Sequence, residues 1–176
     1  MTGAKLIRFQ GTVSTRSEAS GHLKSPGDSV LIERGRPRWL LLSCPCGCGE
    51  DFPINLDPRA GPAWTLYGNP QIGLSLFPSV WRDTGCRSHF VIWRDRIYLF
   101  GRYDDDFDTE QHPEEVVSLT NSVRERLPEN ALLPFAKIAE SLNAIPWDVL
   151  TVCRRLVRMG IAREGKGKQR GCFGRA

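Results

Sequence analysis

Short apolar runs separated by turn residues dominate the first hundred residues of the chain. The runs are rich in Val, Ile, Leu and aromatic residues, and Gly, Pro, Asn or charged residues bound them. This pattern is typical of strands in an antiparallel sheet. Strands are predicted at residues 4–13, 29–33, 39–43, 52–56, 64–67, 73–81, 89–93 and 97–100.

The last two runs predict the clearest hairpin, because only Arg94-Asp95-Arg96 separates them. Residues 14–27 are instead rich in Ser, Gly and charge, and we predict a loop there. Residues 1–102 are therefore predicted to form a mostly antiparallel, β-rich domain with a small core.

The apolar spacing changes to that of a helix after Pro113. Acidic residues follow this proline, as suits a helix N-terminus, and Pro128 ends the first predicted helix. Two more helices are predicted, at residues 134–142 and 147–159. The pattern over residues 113–165 resembles a winged helix-turn-helix.

Two further segments complete the predicted organisation. Residues 103–112 are rich in Asp, and we predict an acidic linker between the two domains. Residues 166–176 combine Gly with Lys and Arg, and we predict a flexible basic tail. The predicted fold class is α+β, with a β-rich domain followed by a helical, winged-helix-like domain.

Charge is unevenly distributed, although the formal net charge is only +4. Residues 1–122 contain 13 Lys and Arg against 15 Asp and Glu, whereas residues 123–176 contain 11 against 5. A basic face of the third helix, made of Arg154, Arg155 and Arg158, suits phosphate contacts. DNA is therefore a candidate partner of residues 147–170, and protein docking or dimerisation is the alternative role of a winged helix.

Three cysteines fall within five residues, and a Cys-x-x-His pair follows about forty residues later. Cys44, Cys46, Cys48, Cys86 and His89 are five candidates for the four positions of a tetrahedral zinc site. Thiolate and imidazole are the ligands that zinc prefers. We predict a bound zinc ion held by Cys44, Cys46, Cys48 and Cys86, which makes the β-rich domain zinc-stabilised.

Clustered cysteines could also form disulfides, so the redox environment matters. Residues 1–12 mix Lys5, Arg8 and Gln10 among their apolar residues, and no long uncharged segment follows. We therefore predict a cytoplasmic protein that has no membrane association, in which the thiols stay reduced and bind metal.

The residues around the cysteines resemble a known family over residues 28–100. The similarity rests on Arg38, Cys44-Pro45-Cys46-Gly47-Cys48-Gly49-Glu50, Asn55-Leu56, Trp64, Ser75-Leu76-Phe77-Pro78-Ser79 and Cys86-Arg87-Ser88-His89-Phe90. This pattern resembles the bacterial domain of unknown function 6527. The resemblance implies a component of bacterial ubiquitin-like conjugation systems, a serine-peptidase activity, and a role in processing or removing a ubiquitin-like tail.

The same resemblance implies partners. These are a ubiquitin-like protein or its conjugates, and the activating or conjugating enzymes of the same system.

The first functional hypothesis is a zinc-stabilised hydrolase. If four cysteines hold the metal, His89 is free to act as a general base. Ser79 and Ser88 are the candidate nucleophiles, with Ser75 behind them. Adjacent strand residues point to opposite faces, so Ser88 should point away from His89, which favours Ser79. Glu50 or Asp51 could orient the imidazole.

Two alternatives remain open from the sequence. In the first, two cysteines and His89 bind a catalytic zinc, which leaves a position for water, and Glu50 acts as base. In the second, His89 completes a structural site, and the protein is a non-catalytic zinc-containing module that binds protein or DNA.

Overall fold

The structure of the protein is a computed structural model that describes residues 3–69, 73–100 and 113–176. The chain divides into two compact units, Met1–Asp106 and Phe107–Ala176. The acidic linker predicted at residues 103–112 lies outside the described residues.

Four strands of the first unit form one sheet, in the order β1-β2-β3-β4. They are β1 (Arg8–Val13), β2 (Asp28–Glu33), β3 (Pro37–Ser43) and β4 (Asp51–Asn55). β1 and β2 are parallel, whereas the other neighbours are antiparallel. β3 ends directly before the first cysteine, so the sheet carries the cysteine cluster at the end of a central strand.

A short helix, α1 (Arg16–Ser20), lies between β1 and β2, where the sequence predicted a loop. Thr15 caps it, because its hydroxyl accepts a hydrogen bond from the Glu18 N–H at 3.3 Å. Ala19 is fully buried in a small cluster with Val30 on the sheet. The sequence pattern missed this helix because one alanine supplies its buried contact.

The second sheet of this unit is wholly antiparallel, in the order β5-β6-β7-β8. Its strands are β5 (Thr65–Asn69), β6 (Gly73–Trp81), β7 (His89–Trp93) and β8 (Arg96–Phe100). The predicted hairpin joins β7 to β8. The β6–β7 register shifts between Leu76 and Val80, so β6 carries an irregularity just where Ser79 lies.

One hydrophobic core is shared by the two sheets. Its members alternate along several strands, as expected where one face of each sheet is buried. Two of the four clustered cysteines belong to this core and are therefore part of the packing between the sheets. The buried members are Ile7, Leu40, Leu42, Cys44, Cys46, Ile54, Leu74, Leu76, Val80, Phe90, Ile92, Ile97 and Leu99.

The second unit combines three helices with a small sheet. Its elements are α2 (Pro113–Arg126), β9 (Leu133–Pro134), α3 (Phe135–Leu142), α4 (Pro146–Arg158), β10 (Ala162–Glu164) and β11 (Cys172–Arg175). The sheet order is β10-β11-β9. The three helices were predicted to within a few residues, whereas the winged-helix interpretation of this unit stays a prediction.

Residues 166–176 differ from the flexible tail that their composition suggested. They contain β11, which pairs with both β9 and β10. Phe173 is fully buried, and this single aromatic residue gives the segment an apolar anchor.

The α+β fold class is confirmed, with antiparallel-rich sheets in the N-terminal unit and helices in the C-terminal unit. In the part of the chain that the structure describes, none of the helices has the length and apolar character needed to cross a membrane.

Candidate metal centre and serine-histidine pair

A tight turn after β3 presents three of the cysteines. The Cys44 N–H donates to the Glu50 carbonyl at 2.9 Å, and the Gly47 N–H donates to the Cys44 carbonyl at 3.1 Å. Gly47 and Gly49 have φ angles of +81° and +83°, in the left-handed region that glycine adopts without strain. The chain therefore wraps closely enough to bring alternate cysteine side chains to one place.

The fourth cysteine joins them from the segment between β6 and β7. The Sγ atoms of Cys44, Cys46, Cys48 and Cys86 all lie within 4.8 Å of one another. The Cys44 sulfur is 3.4 Å from that of Cys46 and 3.7 Å from that of Cys86. Sulfur atoms about 2.3 Å from a tetrahedral zinc ion are about 3.8 Å apart, so the four thiols fit a metal of this kind.

The four thiols differ in burial and in how readily they ionise. Cys44 and Cys46 are buried, Cys86 is half-buried and Cys48 is exposed. Burial and the hydrogen bond with Cys44 raise the pKa of Cys46 far above its usual range. Burial also raises the pKa of Cys86, but hydrogen bonds from Ser88 outweigh it and lower that pKa to about 6. The site thus already favours a thiolate at Cys86.

Arg82 supplies positive charge beside the sulfur atoms. Its guanidinium donates to the Cys86 sulfur at 3.6 Å and forms an ion pair with Glu50. Its side chain is only 12% exposed and packs over the Phe52 ring, 5.1 Å from the centroid. Four thiolates around a divalent cation carry a net charge of −2, which the Arg82 charge partly offsets.

Ser88 lies with the sulfur atoms. Its hydroxyl oxygen is 3.2 Å from the Cys86 sulfur and 3.4 Å from the Cys44 sulfur, and the residue is 7% exposed. A hydroxyl at this position can donate to a thiolate and orient it. As alternation along a strand requires, its side chain points away from that of His89.

His89 is hydrogen bonded to Ser79. The His89 Nε2 and Ser79 Oγ atoms are 3.1 Å apart. Ser79 lies near the end of β6 and His89 begins β7, so the contact joins neighbouring strands. His89 is not a member of the four-thiol cluster. A neutral imidazole with its proton on Nδ1 accepts the Ser79 hydroxyl proton at Nε2, which is the arrangement that an activated serine needs.

Aromatic rings flank the imidazole on its sheet face. The Phe100 and Trp81 rings have centroids 4.6 and 5.9 Å from that of His89. Burial lowers the pKa of His89 below its ordinary value of 6.5, because a less hydrated site disfavours the imidazolium. The ring is thus predominantly neutral at neutral pH, as a general base must be.

Three residues of the family-like pattern brace the loop that brings Trp64 to Ser79. The Asn55 amide donates to the Asp57 and Pro62 carbonyls, at 3.1 and 3.0 Å. The Trp64 N–H donates to the Asn55 carbonyl at 2.8 Å, and the Trp64 indole N–H donates to the Ser79 carbonyl at 3.3 Å. Arg38 forms an ion pair with Asp57. Of these contacts, the indole hydrogen bond is the one that holds the backbone of Ser79.

The other predicted site residues lie elsewhere. The Ser75 hydroxyl accepts a hydrogen bond from the Arg94 N–H at 2.9 Å and is fully buried, which is a structural position. Glu50 pairs with Arg82, and Asp51 pairs in the sheet with Ser43. Within the described residues, neither carboxylate is a hydrogen-bond partner of His89, contrary to the expectation that one of them orients the imidazole.

Sequence reasoning missed two residues next to these sites, Trp81 and Arg82. Ser88 was considered only as a nucleophile, and its place beside the thiols follows from a turn in which Arg87 has a left-handed φ of +51°. The contacts of Arg82 with Glu50 and Phe52 cross between distant segments, and no local pattern marks them.

A family model described as bacterial ubiquitination-like system serine protease (BubE) matches residues 15–100. The matched range covers just under half of the chain and contains the four clustered cysteines, Ser79 and His89. Neither the curated proteins nor the solved structures contain a match to the chain. The family match supports the expected link to a bacterial ubiquitin-like system, whereas the resemblance to the domain of unknown function 6527 stays a prediction.

Proposed function

We propose that the protein is a serine peptidase in which Ser79 is the nucleophile and His89 the general base. Its substrate is the tail of a bacterial ubiquitin-like protein, at a peptide or isopeptide bond. The observation that carries this proposal is the 3.1 Å contact between Ser79 Oγ and His89 Nε2, made while four thiols form a separate cluster. The family match over residues 15–100 supports both the serine chemistry and the class of substrate.

The pair performs the two steps of acyl transfer. The Ser79 oxygen attacks the carbonyl carbon while His89 takes its proton, and the imidazolium then gives that proton to the departing amine. This breaks the C–N bond and leaves an ester on Ser79. Water, deprotonated by His89, attacks the ester, releases the carboxylic acid and restores the Ser79 hydroxyl.

Zinc, when bound by Cys44, Cys46, Cys48 and Cys86, supplies a structural cross-link between the turn after β3 and the start of β7. Four thiolates fill a tetrahedral site and leave no position for water. Cys86 and Ser88 are tied to this cluster, and His89 is the next residue along the chain. The cluster therefore holds the strand that positions the imidazole, and the alternative of a catalytic zinc with His89 as ligand is disfavoured.

The test is cleavage of a bacterial ubiquitin-like protein fused through its C-terminal tail to a fluorescent protein. Ser79→Ala and His89→Ala should each lower kcat/KM by about 10²-fold or more, because each removes a member of the reacting pair. Both variants should retain the zinc content of the unmodified protein, measured by mass spectrometry of the metal. Ser17→Ala, an exposed serine on α1, is the matched control and should cleave normally.

Ser88→Ala separates the two candidate nucleophiles. We expect it to cleave the fusion protein when zinc is saturating but to lose zinc more readily to a chelator. Loss of cleavage in zinc-saturated Ser88→Ala with activity retained in Ser79→Ala would overturn the assignment. A His89→Ala variant that loses its zinc would instead support a histidine metal ligand and a non-catalytic module.

A further inference from the structure

The end of β6 has an open edge on the side of β5. β5 pairs with β6 only from Asn69↔Gly73 to Thr65↔Phe77, whereas β6 continues to Trp81. Across the part of the chain that the structure describes, no strand lies beside Pro78–Trp81 on that side. In the described residues this part of the β6 edge therefore has no ladder partner, and the Trp64 indole reaches it at the Ser79 carbonyl.

The backbone N–H and carbonyl of Trp81 point toward this unpaired edge. The Arg82 N–H donates to the Ser88 carbonyl at 3.0 Å, so Arg82 and Ser88 form a hydrogen-bonded pair of the β6–β7 ladder. Such pairs alternate with non-hydrogen-bonded ones, so Trp81 and His89 form a non-hydrogen-bonded pair. The N–H and carbonyl of Trp81 consequently face away from β7.

The Ser79 carbonyl, two residues earlier in β6, faces the same way as the Trp81 backbone groups, because it accepts the Trp64 indole N–H from the β5 side. That oxygen is occupied, and among the described residues Trp81 is left with one donor and one acceptor at this edge. The Trp81 side chain is 72% exposed and lies on the same sheet face as Ser79 and His89. The edge and the reacting pair thus form one continuous surface.

We propose that an extended peptide segment binds as an added strand along this edge and hydrogen bonds to the Trp81 backbone. This proposal rests on the proposed function. The segment is then the unfolded C-terminal tail of the ubiquitin-like substrate. Neighbouring strands lie about 4.8 Å apart, so a segment paired with Trp81 lies one strand spacing from β6, two residues along from Ser79. Recognition through main-chain amides suits an extended tail, because it needs no particular side chains.

Two diphenyl phosphonate probes test the proposal, one built on acetyl-glycine and the other on acetyl-Ala-Ala-Ala-glycine. In each, the Ser79 oxygen bonds to phosphorus, and phenol leaves with the proton that His89 received. The second-order labelling rate, read from intact mass, should be at least about 10-fold higher for the long probe. N-methylation of one alanine amide in the long probe should remove most of that advantage.

Trp81→Pro and Trp81→Ala form a matched pair, because both remove the indole but only proline removes the N–H. That N–H makes no ladder hydrogen bond, so proline is tolerable there. Labelling by the long probe should be about 3- to 10-fold slower in Trp81→Pro than in Trp81→Ala, as expected for one hydrogen bond. Both variants should react equally with the short probe, which shows that the Ser79–His89 pair is intact.

Equal rates for the two probes, or equal long-probe rates for the two variants, would overturn strand addition while leaving the serine chemistry in place. If neither probe labels the unmodified protein at Ser79, the proposed function itself fails, and this inference fails with it. A concentration-dependent dimer that Trp81→Pro dissociates, detected by analytical ultracentrifugation, would assign the edge to a second copy of the chain and overturn the proposal.

Discussion

Ser88 and His89 are adjacent in the chain but contact different sites. The Ser88 hydroxyl lies 3.2 Å from the Cys86 sulfur, while the His89 imidazole lies 3.1 Å from the Ser79 hydroxyl. The two side chains reach different sites because neighbouring side chains along an extended strand point to opposite faces. Two consecutive residues therefore link the thiol cluster to the reacting pair.

The titration of His89 gives a prediction for the pH dependence of cleavage. Burial lowers the pKa of this imidazole below 6.5, so the neutral, proton-accepting form persists at lower pH than it would in free histidine. The acid limb of the kcat/KM profile should therefore have its midpoint below pH 6.5. Because the folded state disfavours the imidazolium, acidification through this region should also lower the free energy of unfolding.

A pH–rate profile of cleavage in the tail-fusion assay measures the midpoint of the acid limb directly. A midpoint above pH 6.5 would contradict it and would indicate that a nearby anion stabilises the protonated ring.

At the scale of elements, the turn after β3 and the segment before β7 meet around the four sulfur atoms. Arg82 connects them, because its guanidinium contacts both the Cys86 sulfur and the Glu50 carboxylate. Gly85 lies against the same pair, with Glu50 Oε2 and Arg82 Nη2 only 3.1 and 3.3 Å from the position of an added Cβ. The packing of this corner therefore depends on charge as well as on the metal.

Replacing Arg82 tests that dependence. Arg82→Met keeps a long side chain beside Phe52 but removes the positive charge beside the thiolates. We expect zinc affinity to fall by about 10- to 100-fold, as is typical when a partner of metal ligands is removed. Competition with a chromogenic chelator measures the zinc affinity. The control is Arg155→Met, which replaces an exposed arginine of α4. Equal affinities in the two variants would show that Arg82 does not support the site.

Sequence alone predicted most of the elements and fewer of the contacts. The apolar runs are long and regular enough to give the strands, and the cysteine spacing gives a four-thiol set. α1 and β11 were missed because Ala19 and Phe173 each provide one buried contact within a polar segment. The contact of Ser79 with His89 joins two strands whose register shifts between Leu76 and Val80, and no local pattern reveals which residue of β6 lies beside His89.

At the scale of the whole molecule, the N-terminal unit is small and two clustered cysteines belong to its core. Small domains often lack enough buried apolar surface to be very stable, so a structural metal contributes a large part of their folding free energy. This unit also contains the matched family range, residues 15–100. Stability and the proposed activity should therefore respond together to the metal.

Removal of zinc should show this coupling. Dialysis against a strong chelator under reducing conditions should lower the Tm by roughly 10 °C or more, given about 4–8 °C per kcal/mol for domains of this size. It should also abolish tail cleavage, and zinc should restore both properties. Differential scanning calorimetry is the measurement, and an unchanged Tm after verified metal loss would contradict a structural role.

The central claim is that the four thiols bind the metal while His89 activates Ser79. Labelling of zinc-loaded protein with a small fluorophosphonate tests it most directly. Peptide mapping and metal analysis on the same sample give the modified residue and the zinc content. We predict one label on Ser79, and at least about 10²-fold slower labelling of His89→Gln at unchanged zinc content. Labelling at Ser88, or zinc loss in His89→Gln, would contradict the account.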